Sequence, residues 1–133
     1  MKPLSILFVD DDDDIREIVV LALSLDPAVT LRAMASAREA LNMLAAGYRP
    51  DVALLDVMMP GMDGPTLLDQ LGRLPATANI PVIFMTAKAR QADVALYRAR
   101  GATGVMTKPF DPMTLAADIR AVLAGGDRPP GDG

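Results

Sequence analysis

The chain contains no cysteine, no histidine and no tryptophan, and only 4% of its 133 residues are aromatic. Without cysteine there are no disulfides and no thiolate metal sites, which fits a reducing compartment. Without histidine, the Ser-His and Cys-His catalytic arrangements, most zinc sites and the common general base at neutral pH are excluded. Any phosphohistidine chemistry must therefore draw its imidazole from another protein. No apolar stretch approaches the roughly 20 residues needed to span a bilayer, and no basic segment followed by an apolar one opens the chain. A net charge of −4 gives no general attraction to nucleic acid or to an anionic membrane. A cytoplasmic protein with no direct nucleic-acid or membrane partner is expected.

What is present is a core. Hydrophobic residues make up 51% of the chain, so Ala, Leu, Val, Ile and nine Met fill the interior of one domain. Strand-like and helix-like patterns alternate five times. Leu4 to Val9 is almost wholly apolar, as in a strand buried on both faces. Ile15, Ile18, Val19, Ala22 and Leu23 then recur at helical spacing, with Asp12 to Asp14 available as caps and Asp14–Glu17 at capping-box spacing. Ala28 to Met34 reads as the second strand, followed by a helix from near Ser36 to just before Gly47. Asp51 to Leu55 is the third strand, and a helix runs from about Gly64 to Leu74. Ile80 to Met85 is the fourth strand, with Pro81 marking either its beginning or an edge position. A weakly apolar helix over Arg90 to Arg100 stops at Gly101. Thr103 to Thr107 is the fifth strand, and Asp111-Pro112 predicts the cap and first position of a last helix carrying Leu115, Ile119 and Val122. Residues 1–123 form the domain and 124–133 a flexible tail or the start of a linker.

Five such units with short connections predict an α/β, doubly wound (βα)5 fold: a parallel sheet with helices on both faces. Ligands in these folds bind beyond the carboxyl ends of the strands. Asp10-Asp11, Asp56, Thr86 and Lys108 all stand at strand ends, so the fold gathers them along one edge. Two or three of the five aspartates at 10–14 are explained by helix capping. Further like charges beside Asp56 call for a cation, and an oxygen-seeking ion such as Mg²⁺, with Mn²⁺ as a substitute, suits Asp10, Asp11 and Asp56. The peptide carbonyl of Met58 is placed to complete its shell. In this company the Asp56 carboxylate reads as a nucleophile toward phosphorus, forming an acyl phosphate. Thr86 either caps the next helix or bonds a phosphoryl oxygen; the residues alone leave both open. Lys108, held extended before Pro109, can pair with Asp56 and later with the phosphoryl group.

The segments Ile6-Leu7-Phe8-Val9-Asp10-Asp11, Leu54 to Gly64, Pro81 to Ala87, and Gly101 through Lys108-Pro109-Phe110 together resemble the response-regulator receiver domain, the CheY-like family of two-component signalling. The resemblance covers residues 4–123. It implies a strand order of 2-1-3-4-5, metal binding by Asp10, Asp11, Asp56 and the Met58 carbonyl, and Asp56 as phosphoacceptor. It further implies Thr86, Ala87 and Lys108 as switch and phosphoryl-binding residues, and a cis Lys108-Pro109 bond. One position departs: the aromatic that commonly works with the switch Thr falls at Val105, and a branched aliphatic cannot swing between buried and exposed states.

The expected function is a switch. A histidine kinase or histidine phosphotransferase donates to Asp56 with Mg²⁺, and the surface from Lys88 to Arg120 changes its affinity for a downstream protein. The residues marking that face are Lys88, Arg90, Arg98, Arg100, Val105 and Arg120. Its arginines offer ion pairs to a second copy across the fourth helix, fifth strand and fifth helix, the alternative being a solvated face. No turnover of a separate substrate is expected. Two rivals stand beside this reading. One is a binding module on the same fold that ignores phosphorylation. The other is a haloacid-dehalogenase-type phosphatase, whose nucleophile would lie at Asp10-Asp11-Asp12. Against the phosphatase, Asp14 or Ile15 stands where Thr or Val is expected.

Overall fold

The structure, a computed structural model, describes residues 2–125. The residues 126–133 of the expected tail lie outside them. Ten elements alternate strictly: β1 (Leu4–Val9), α1 (Asp13–Ser24), β2 (Val29–Met34), α2 (Ala37–Ala45), β3 (Val52–Asp56), α3 (Gly64–Gly72), β4 (Val82–Thr86), α4 (Gln91–Ala99), β5 (Gly104–Thr107) and α5 (Leu115–Leu123). All neighbouring strands pair in parallel, in the order β2-β1-β3-β4-β5. This is the doubly wound sheet that the alternation predicts.

Successive strand residues point to opposite faces, and the core divides accordingly. Ile6, Phe8, Val52, Leu54, Ile83, Met85 and Met106 pack with Val19, Ala22 and Leu23 of α1 and Leu115, Ile119 and Val122 of α5. Leu7, Val9, Ala53, Leu55, Val82, Phe84 and Val105 pack on the other face with α2 and α3, and with Val94 and Tyr97 of α4 at the margin. The interior strands are buried on both sides, so their sequences read as continuous apolar runs rather than alternations.

Local signals hold at most helix ends. The Asp12 carboxylate accepts the amides of Asp14 and Ile15, Ser36 accepts that of Glu39, and Asp63 accepts that of Thr66. The cap of α1 is thus Asp12, and the Asp14–Glu17 spacing forms no capping box. Pro81 precedes β4, which lies between β3 and β5 and is not an edge. The last helix also differs from expectation. Asp111 accepts the Met113 amide on its side chain and the Thr114 amide on its carbonyl, closing a turn, and α5 begins only at Leu115 after Thr114.

Candidate functional site

The alternation that builds the core also builds the site. Continuing the row Ile6–Phe8 one step past β1 gives Asp10; the row Val52–Leu54 ends in Asp56; the step after Met106 gives Lys108. These three side chains therefore start from the face shared with α1 and α5, just beyond the strand ends. Lys108 Nζ donates to Asp10 Oδ2 at 3.0 Å and to Asp56 Oδ1 at 3.1 Å. Asp10 is fully buried and Asp56 nearly so, while Asp11 is exposed. The other Asp10 oxygen, Oδ1, accepts the Asp12 amide at 3.0 Å. On the helix that follows, Arg16 donates from Nη1 to the Asp10 carbonyl at 2.8 Å and pairs through Nη2 with Asp13.

Carboxylate oxygens of Asp10, Asp11 and Asp56 lie within 4.8 Å of one another. A set of hard oxygen donors this close fits Mg²⁺ or Mn²⁺ and no soft metal. Burial lifts the Asp56 carboxyl above the usual carboxylate range and the charge of Asp10 adds to this, while the Lys108 hydrogen bond opposes both. For Lys108, burial pulls the ammonium down, but its bonds to Asp10 and Asp56 outweigh this and hold it above its ordinary value. The pocket is thus a partly desolvated carboxylate with a cation in contact, suited to a reaction that adds negative charge at Asp56.

Thr86 is placed differently. It continues the row Val82–Phe84, on the α4 side of the sheet, and its hydroxyl accepts the Lys88 amide at 3.1 Å. Its carbonyl accepts the Lys108 amide at 2.8 Å, tying the ends of β4 and β5 together. Ala87 and Lys88 follow at the surface, and the Met58 side chain is exposed just beyond Asp56. The Lys108-Pro109 bond is cis. The residues assigned to an interaction face do not all lie on one. Val105 is buried opposite Phe84 and belongs to the core. Arg120 donates from Nε and Nη2 to Asp26 at 3.2 and 3.1 Å, committed to the turn after α1. Arg100 pairs with Asp69 of α3 and Arg90 with Asp93.

Two contributors escaped the sequence reading. Gly64 is expected as a helix start and as the end of the Leu54 to Gly64 segment, but neither signal shows that a Cβ there would stand 2.5 Å from the Asp56 carbonyl and 3.1 Å from the Phe84 ring. Glycine lets the first turn of α3 pass directly behind the phosphoacceptor candidate. The other is Arg16, whose only sequence signal is its i,i+3 spacing from Asp13.

The family model of the response regulator receiver domain matches residues 6–120, and the chain belongs to that family, as a CheY-like receiver of two-component systems. The transcriptional regulatory protein CseB of Streptomyces coelicolor is 45% identical, over 96% of this chain and 55% of that protein. The DNA-binding response regulator MtrA of Mycobacterium tuberculosis is 36% identical, over 96% of this chain and 54% of its own length. The high resolution structure of the chemotaxis response regulator CheY4 of Vibrio cholerae superposes with a TM-score of 0.81 at 31% identity, covering 91% of this chain and 99% of that one. The chain spans about half the length of the curated relatives it matches. This membership sets aside the haloacid-dehalogenase reading. Among the described residues, no helix is long and apolar enough to cross a membrane.

Proposed function

We propose that this domain is a phosphorylation switch in which Asp56 accepts a phosphoryl group from the phosphohistidine of a histidine kinase or histidine phosphotransferase. The observation that carries the reading is the Lys108 ammonium bridging Asp10 and Asp56 beside the exposed Asp11. An Asp56 oxygen attacks phosphorus, the phosphorus–nitrogen bond breaks, and its electron pair returns to the donor's imidazole. Asp10, Asp11, Asp56 and the Met58 carbonyl would hold Mg²⁺, which when bound would neutralise charge on the phosphoryl oxygens. Lys108 follows the new charge, exchanging its Asp56 contact for a phosphoryl oxygen.

The product carries roughly −1.5 to −2 charge where a carboxylate stood. Thr86 can donate its hydroxyl hydrogen to that group while still accepting the Lys88 amide. Because Thr86 lies on the α4 side of the sheet, drawing it in moves the β4–α4 connection. With Val105 in the core, the switch runs through Thr86 and this connection without a swinging aromatic at position 105. The altered surface, from Ala87 and Lys88 along α4, is read by a downstream protein or by a second copy across α4, β5 and α5. The names of CseB and MtrA support a transcriptional output, and family membership supports the cytoplasmic setting.

Intact mass after incubation with acetyl phosphate and Mg²⁺ tests this. One labile phosphoryl adduct is expected on the wild type, and none on Asp56→Asn or without the metal. Absence of an adduct with both acetyl phosphate and a phosphohistidine donor would leave a binding module indifferent to phosphorylation.

A further inference from the structure

We infer that Arg16 is a positioning residue for the metal pocket: its guanidinium fixes the peptide plane joining Asp10 to Asp11 and so sets where the Asp11 carboxylate stands. The inference rests on the acidic-pocket reading above. Asp10 is held at four points, since its carboxylate takes Lys108 and the Asp12 amide, its amide donates to the Met34 carbonyl, and its carbonyl takes Arg16 Nη1 at 2.8 Å. The Asp12 carboxylate is engaged as the cap of α1. Asp13 is engaged by Arg16 Nη2. Of these contacts, the one to the Asp10 carbonyl bears on Asp11 most directly, because that carbonyl and the Asp11 amide share one rigid plane. Asp11 is itself exposed, so packing does little to place it. Arg16 can act as a fixed strut because its side chain is only 21% exposed and its fork is anchored at both ends.

Charge and position make opposite predictions. A guanidinium on the Asp10 carbonyl adds positive charge beside a pocket that already holds the Lys108 ammonium, so by charge alone its loss tightens metal binding. If Arg16 positions Asp11, its loss weakens binding, by about tenfold or more, the usual effect of removing a residue that orients a metal ligand.

The test is Mn²⁺ binding to the full unphosphorylated chain, followed by electron paramagnetic resonance, for wild type, Asp11→Asn, Arg16→Gln and Arg16→Lys. Thermal melts in chelator confirm that each is folded. The expected result is a dissociation constant raised about tenfold in Arg16→Gln and raised also in Arg16→Lys, which keeps the charge without the fork. The Mg²⁺ needed for half-maximal phosphorylation rises in parallel, while the rate at saturating Mg²⁺ stays near wild type. Should Arg16→Gln fold poorly, Arg16→Lys decides, because charge alone predicts no change for it. Unchanged or tighter binding in the folded Arg16 variants, with Asp11→Asn impaired, overturns the role of Arg16 alone. A wild type that fails to bind Mn²⁺, or an Asp11→Asn variant that binds equally well, overturns the pocket reading along with it.

Discussion

Helices α4 and α5 are both nine residues long and both flank the edge strand β5, yet they are attached in opposite ways. α5 buries Leu115, Asp118, Ile119 and Val122, and Arg120 ties it to Asp26 in the turn after α1. α4 has no fully buried residue; it meets the sheet through Val94 and Tyr97 at the margin of the core, with the Tyr97 ring 5.0 Å from that of Phe84. The difference follows from sequence. Leu115, Ile119 and Val122 form an apolar stripe at helical spacing, whereas Gln91 to Ala99 brings Val94 and Tyr97 to the margin of the core and leaves Leu96 exposed. An element held by few buried contacts can shift at small cost, and one held by many cannot. α5 thus belongs to the frame behind Lys108, and α4 is where a rearrangement near Thr86 can be expressed.

The largest effect that would sharpen this contrast is in α5. Ile119→Ala removes a fully buried side chain and is expected to lower stability by about 2–5 kcal/mol, measured by urea unfolding. A loss no greater than that of a surface substitution would erase the asymmetry. Tyr97→Ala is expected to cost about 1–2 kcal/mol, from partial burial and the tilted ring contact. Amide exchange should quicken over Gln91–Ala99 and stay unchanged in α5; acceleration throughout the domain would show that α4 is no separate unit. The smallest effect concerns the tie between α5 and the turn after α1. The Asp26 carboxyl is held below its ordinary value of 3.8 by the Ala28 amide and, against the opposing cost of burial, by Arg120. Its folded pKa being depressed, its contribution is present above the unfolded value and fades as pH falls through the folded one. The stability gap between wild type and Asp26→Asn should therefore close on acidification, and a gap independent of pH would deny the tie.

Most of the frame was legible in the sequence because strands buried on both faces leave unbroken apolar runs, and because a parallel sheet brings strand ends to one edge. Asp10, Asp56 and Lys108 meet for that reason. What local signals could not decide were matters of tertiary contact. Asp111-Pro112 carries the marks of a helix start, but the same residues close a turn, and only packing places the first buried residue of α5 at Leu115. Pro81 reads equally as the start of an interior strand or as an edge. Arg120 reads as a solvated cation until Asp26, 94 residues away, comes beside it. The cis Lys108-Pro109 bond was implied by family resemblance and not by composition. Thr86 is the instructive case. Its position at a strand end was plain, and counting the alternation from Phe84 would have put it on the opposite row from Asp56.

That opposition of rows has a consequence for how such a domain diversifies. The acidic pocket stands on one side of a single sheet and the loosely held α4 on the other, joined at the tip of β4. Substitutions along the outer surface of α4 touch none of the residues that hold Asp56. The listener can therefore change by small surface steps while the letter continues to be written in the same ink.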